Sequence, residues 1–441
     1  MYYYILKGIL MELNRINIKD NIDLCIINTD RFKMSRLSIS FITEADKIMS
    51  PTRKLMFSSI MRGSKKYPTV SIINRELDEL YGSTVSFRYS TDGDRHVFTF
   101  VCEMLDERYV YKNDNVNILH GTLEILKDIL VNPLMDDDGL ISHEFIESER
   151  RLAYDAIKAK SNDQRVYSAD RCKNLMFKDE KCGYSIDGNE EIISGITREE
   201  ITNCHKEIFD TSKIQCFYIG SKSQDEVLSN LNYLFSDVTS AASIEYGYTP
   251  FISDKDLTIT EEEKPVSQGR LNIGMRAGIV ISDKEYYATS LFNEIFGGSS
   301  ISKLFMNVRE KKSLCYYCSS VYMISKGVIF ISCGIKSENK DAAYSEIMYQ
   351  LEEMKKGNFT DTDIATAKKL LYNALKQVND SPSGLDSYYF RRNMAGIPYN
   401  PAESIKLIEA VTKEDIMHVA QRIVPDTVYF LKGTEENGYD E

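Results

Sequence analysis

The 441-residue chain is poor in groups that would assign it a chemistry at once. It has five histidines, His96, His120, His143, His205 and His418. No two of them lie three or four apart, so no helix face offers an imidazole pair to a metal. No run of ~18 apolar residues occurs, which excludes a membrane-spanning helix. Basic residues are short, 54 Lys and Arg against 66 Asp and Glu, for a net charge of −12. Phosphate backbones need a basic surface, so nucleic acid is excluded as a main partner. The nine cysteines show no paired framework, and a reduced, cytoplasmic setting is expected. The opening "MYYYILKGILMELNRINI" is broken by Lys7 and lacks both a basic leader and a small-residue cleavage site. It reads as a short extension ahead of a first strand, with Met11 as an alternative start.

What is present suits a folded core. Apolar residues make up 43% and charged residues 27%. At roughly 150 residues per domain the length suggests two or three domains, or two large ones. "IDLCIINTD" and "RLSISFITEA" are strand-like. "PTRKLMFSSIM" has apolar Leu55, Met56, Ile60 and Met61 at helical spacing, followed by Gly63. Thr69 to Tyr81 reads as a second helix. "STVSFRYSTDGDRHVFTFVCEM" alternates on both sides of Asp92-Gly93 and reads as a hairpin. Two long helices follow, "NVNILHGTLEILKDILVN" and "ISHEFIESERRLAYDAIKAK". Then come a capping box at Thr197–Glu200 and the strand "KIQCFYIG".

Residues 236–258 lose any sustained period and read as a linker between a domain at 1–235 and another at 259–441. The second half then repeats the first. "GRLNIGMRAG" matches "SRLSISFITE", and "SLFNEIFGGSS" matches "LMFSSIMRGS". "NVREKKSLCYYCSS" matches "NRELDELYGSTVSF", and "GVIFISCGI" matches "HVFTFVCEM". Duplication of one α+β domain is the expectation.

The doubled plan, the helix before "RGSKKYP" and above all "FGGSSISKLFMNVREKKSLCYY" at 296–317 resemble the M16 family of insulinase, pitrilysin and mitochondrial processing peptidase. The resemblance implies two α+β domains, each a sheet with helices on one face, forming a clamshell. In active relatives the opening helix carries His-x-x-Glu-His, two zinc ligands and a general base on one helix face. Those positions fall here on Lys54, Phe57 and Ser58, and the later acidic ligand on Ala156, with Asp155 beside it. An ammonium, a phenyl ring and a hydroxyl cannot hold a borderline-soft dication. The resemblance also implies that Arg309 and Tyr316, at the Arg-x6-Tyr spacing, bind substrate near the scissile bond. It implies too that the turn at Gly297 and Gly298 is structural and lines the chamber.

The expected function is therefore a zinc-less subunit of a two-chain peptidase. It has no cofactor of its own and supplies Arg309 and Tyr316 to an extended peptide bound with a zinc-bearing sibling. The alternative is a peptide-binding or scaffold protein with no proteolytic role. Four other signals are set aside. "CYYC" at 315–318 has no second pair, and residues three apart on a strand point to opposite faces. "GGSS" lacks the ending of a phosphate loop. "TDTD" at 360–363 reads as a helix cap. "ITEEEKP" reads as a solvated acidic run.

Overall fold

The structure, a computed structural model, describes residues 13–434 apart from 112, 113, 115, 239–243 and 246. The opening stretch through Met11 and the middle of the expected linker lie outside the described residues.

Eleven strands form two sheets among the described residues. The first holds β1 (Asn14–Lys19), β2 (Ile22–Asn28), β3 (Met34–Glu44), β4 (Thr84–Asp92), β5 (Arg95–Leu105) and β6 (Lys213–Gly220), in the order β1-β2-β6-β3-β5-β4. The second holds β7 (Thr258–Lys264), β8 (Gly269–Arg276), β9 (Cys315–Met323), β10 (Val328–Ile335) and β11 (Val424–Gly433), in the order β7-β11-β8-β10-β9. With the β1 hairpin arm set aside, the two orders superimpose strand for strand. In both five-strand orders the parallel pair stands at one end, β2 with β6 and β7 with β11, and the remaining pairs are antiparallel. The segments matched by sequence, β3 with β8 and β5 with β10, occupy equivalent places. The duplication is thus visible in the topology.

Local sequence explains the elements. β3 is buried along nearly its whole length, as a central strand covered on both faces must be. β4 alternates between exposed and half-buried positions, as an edge strand does. Gly93 at φ +62° closes the β4–β5 hairpin through a two-residue loop. The opening helix, Met49–Ile60, turns Leu55, Met56, Phe57 and Ile60 into the first core. Thr197 and Glu200 form the expected capping box, and Thr360 and Asp363 cap each other ahead of the helix Asp361–Gln377. "ITEEEKP" is not a free acidic run. It is the edge strand β7, paired in parallel with β11, and Glu262 accepts bonds from Tyr167 Oη (2.7 Å) and Tyr429 Oη (2.9 Å).

The chain divides into two compact units, neither continuous in sequence. One comprises Met1–Lys158, Tyr184–Glu245 and Val378–Arg391, the other Ala159–Gly183, Tyr246–Gln377 and Arg392–Glu441. In the first, Asp386 from the late helix Pro382–Met394 accepts from Arg36 Nε and Ser38 Oγ of β3, both at 2.9 Å. Arg36 is almost fully buried and needs that carboxylate. In the second, the helix Gln164–Met176 lies on β8 and β11, where Gly274 leaves room for the Met176 sulfur. Neither helix announces its sheet by sequence position. No helix among the described residues is long and apolar enough to cross a membrane.

Candidate functional site

Lys54 lies on the opening helix with its side chain 11% exposed. Its Nζ reaches Asp187 Oδ1 at 2.5 Å and stands 4.5 Å from the Tyr89 ring centre. Asp187 arrives on a loop whose next residue, Gly188, adopts φ +67°, a conformation that suits glycine. A Cβ there would also come within 2.9 Å of Pro51 on the opening helix. The glycine therefore lets the loop press onto the helix and deliver the carboxylate. Asp187 is 133 residues from Lys54, and no sequence signal pairs them.

Asp187→Ala would leave the ammonium buried without its counter-charge. We expect a loss of about 3–5 kcal/mol in a urea titration. The double change Lys54→Met with Asp187→Leu should recover most of it, because an apolar pair can replace a buried ion pair at little cost.

Phe57 is fully buried. Its ring centre lies 5.1 Å from Phe41, 5.2 Å from Phe100 and 5.5 Å from both Phe87 and Phe98. The position that the resemblance assigns to the general base is the centre of an aromatic cluster. Ser58 is half-buried, and Ala156 is exposed on the helix His143–Asn162 beside exposed Asp155. About two turns earlier on that helix, Glu149 is occupied by Arg62 at 2.5 Å. A cation, a phenyl ring, a hydroxyl and a methyl group do not suit zinc.

Tyr89 also borders a cavity of about 300 Å³ within the first unit. Arg88 and Asp92 of β4, and Asp386, Ser387 and Arg391 of the late helix, contribute to its walls. β4 ends its sheet among the described residues, so one side of its backbone has no neighbouring strand.

In the second unit the helix Tyr286–Asn293 runs into π-helical turns at Glu294–Gly298 and Phe305–Lys311. Such turns recur at functional sites. Gly297 is required by packing, since a Cβ would meet Ser320 Oγ at 2.6 Å and Leu304 Cδ1 at 2.9 Å. Gly298 likewise faces Asn293 Nδ2 at 2.9 Å. Arg309 is 43% exposed, 3.6 Å from its neighbour Glu310 and 4.8 Å from the Phe305 ring centre. The Ser313 N–H, at φ +52°, donates to Arg309 O at 3.0 Å and turns the chain into β9.

β9 departs from a regular strand. Tyr317 pairs with Gly334 and Cys315 with Ile335, so Tyr316 is the extra residue of a β-bulge. Tyr316 is 50% exposed. Tyr317 is held between the guanidinium groups of Arg165 and Arg270, 4.8 and 5.7 Å from its ring centre. Of the two tyrosines, Tyr316 is the one presented outward. The bulge also corrects the reading of "CYYC". Skipping one residue restores Cys315 to the face of Cys318, and both join the core face of the second sheet.

A probable inactive metalloprotease, YmfF of Bacillus subtilis, is 32% identical over 411 residues, which cover 93% of this chain and 95% of that protein. The chain belongs to the M16 peptidase family. The family description "Peptidase M16 inactive domain" matches residues 195–371. An uncharacterized zinc protease of Rickettsia felis is 23% identical over 68% of this chain and 71% of its own length. A conserved protein from Enterococcus faecalis V583 shares the fold with a TM-score of 0.89 at 24% identity, over 96% of this chain and 99% of its own. The M16 inactive domain from Pseudomonas fluorescens follows at 0.77 and 15%, over 97% of this chain and 100% of its own. The chain is thus a non-catalytic M16 protein. The positions that the resemblance assigns to the zinc motif, Lys54 and Phe57, lie in an ion pair and an aromatic core.

Proposed function

We propose that this chain is the zinc-less subunit of a two-chain M16 peptidase. It binds an extended peptide and supplies Arg309 and Tyr316 to a reaction whose zinc and general base belong to a sibling chain. The observation that carries the reading is a contrast. Lys54 and Phe57 are committed to structure, whereas Tyr316 is thrust outward by a bulge and Arg309 stands half-exposed on a π-turn. A scaffold has no chemical need to present that pair. An arginine can donate twice to a peptide carbonyl, and a phenol can donate to the oxyanion that forms as water attacks. Tyr316 lies on β9, the last strand of its sheet, so a peptide can align with an open backbone edge there. The nine cysteines, all unbridged, accord with a cytoplasmic setting.

The test is co-expression with an M16 sibling that carries His-x-x-Glu-His. We expect a stable complex that cleaves peptides, while this chain alone cleaves none and holds no stoichiometric zinc by elemental analysis. One tightly held zinc per chain, with chelator-sensitive activity of the chain alone, would overturn the proposal.

A further inference from the structure

Three thiols gather on one face of the β9–β10 hairpin. Cys318 and Cys333 are directly opposed across the ladder, and the bulge at Tyr316 turns Cys315 to the same side. Cys318 and Cys333 are buried in the second core, while Cys315 is packed against that core yet partly open to solvent. The other six cysteines, Cys25, Cys102, Cys172, Cys182, Cys204 and Cys216, are all buried. The cluster therefore has one accessible thiol backed by two enclosed ones.

We propose that Cys315, Cys318 and Cys333 form a peroxide-responsive thiol relay, with Cys315 as the reacting thiol and the Cys318–Cys333 disulfide as the product. This chemistry operates whether or not Arg309 and Tyr316 touch a substrate.

The environment of Cys315 favours its thiolate. The Cys318 and Cys333 thiols donate to its sulfur and the Arg309 charge stands near, which together hold the Cys315 thiol well below its ordinary range. The donors behave oppositely: the Cys318 thiol is held well above its ordinary range by its hydrogen bond to Cys315 and by burial, and the Cys333 thiol by its hydrogen bonds to Cys315 and Cys318 and by burial. The trio thus contains one nucleophile and two protonated partners.

The sequence of steps balances. The Cys315 thiolate attacks one oxygen of hydrogen peroxide, the O–O bond breaks, and hydroxide leaves to become water. Cys315 is now a sulfenic acid. The Cys318 sulfur attacks the Cys315 sulfur. Its proton and the hydroxyl group leave as a second water, and a Cys315–Cys318 disulfide forms. Cys333 then attacks the Cys318 sulfur and expels the Cys315 thiolate, and a low-pKa thiol is the better leaving group. The proton lost by Cys333 goes to solvent. In sum, two thiols and one peroxide give one disulfide and two waters. Directly opposed residues of an antiparallel pair have Cα atoms about 4.5–5.5 Å apart, within the range of about 4.4–6.8 Å that a disulfide spans. The Cα separation of opposed partners such as Cys318 and Cys333 therefore suits the final cross-link.

Trypsin separates the partners cleanly. Cys315 and Cys318 fall on the peptide Ser313–Lys326, and Cys333 falls on Gly327–Lys336. The reduced full-length protein is treated with a small excess of hydrogen peroxide, blocked with N-ethylmaleimide, digested and weighed. We expect the two peptides to be joined, with Cys315 alkylated. Cys315→Ser, whose fold is checked by circular dichroism, should slow formation of that link at least about tenfold. Cys333→Ser should trap the Cys315–Cys318 loop within one peptide. Alkylation of Cys315 by iodoacetamide should be nearly flat from about pH 6 to about pH 8, where an ordinary thiol gains about tenfold per unit. The proposal is overturned if the peptides do not join. It is equally overturned if Cys315→Ser leaves the rate unchanged, or if the reduced protein holds a metal that shields all three thiols.

Discussion

In the two-chain complex, Tyr316→Phe lowers kcat by ~10²–10³-fold, equal to about 3–4 kcal/mol of transition-state stabilisation, and leaves KM nearly unchanged. The substitution removes only a hydroxyl, and the ring it keeps is half-exposed on a bulge rather than wedged in the core. Fold and complex formation should therefore survive. The hydroxyl matters only when the scissile carbonyl becomes an oxyanion, so the loss falls on kcat. Arg309→Ala removes a charged donor that also meets the ground-state peptide, and kcat/KM should fall through both parameters. Steady-state kinetics of the reconstituted complex, with complex formation followed by gel filtration, separate these outcomes. Tyr317→Phe serves as the control. That ring is engaged by Arg165 and Arg270, and its hydroxyl should be dispensable for kcat. If Tyr317 proves sensitive and Tyr316 does not, the presented tyrosine has been misassigned. If Arg309→Ala and Tyr316→Phe both retain full activity, the chain acts as a scaffold.

Attempts to rebuild the zinc motif should fail through the fold before they fail through the metal. Phe57→Glu places a carboxyl among four phenyl rings with no polar partner. It must stay protonated or leave the core, and either outcome costs several kcal/mol. Phe57→Ala alone should cost about 3–5 kcal/mol through the cavity it leaves, a fall in Tm of roughly 6–20 °C for a unit of this size. The triple change Lys54→His, Phe57→Glu and Ser58→His should be less stable still, because it also strips Asp187 of its cation. It should bind no zinc, since Ala156 supplies no ligand. Ser58→His on its own, at a half-buried position, should be tolerated. Calorimetry and zinc titration decide the matter. A triple variant with native Tm that takes up zinc would show that the aromatic cluster is not built around Phe57 as described.

The sequence by itself determined the duplicated plan, because burial periodicity is a local property and the same period recurs in both halves. Strands β3 and β8, and β5 and β10, were legible as matched segments and occupy matched places in the two sheets. The expectation that no zinc is held also came from the sequence, because helical spacing fixes which side chains share a face, and the resemblance puts Lys54, Phe57 and Ser58 there. Tertiary structure alone decided what surrounds those positions. The Lys54–Asp187 pair and the four rings about Phe57 join residues far apart in sequence, and no local rule connects them. The same holds for the two helices that cover sheets distant in sequence, drawn there by a buried Arg36 that needs a carboxylate and a Gly274 that admits Met176. The bulge at Tyr316 shows the limit most sharply. Alternation along a regular strand puts Cys315 and Cys318 on opposite faces, but strand pairing with β10 inserts one residue and reverses that result. Register is a property of two strands together, so it cannot be read from either one.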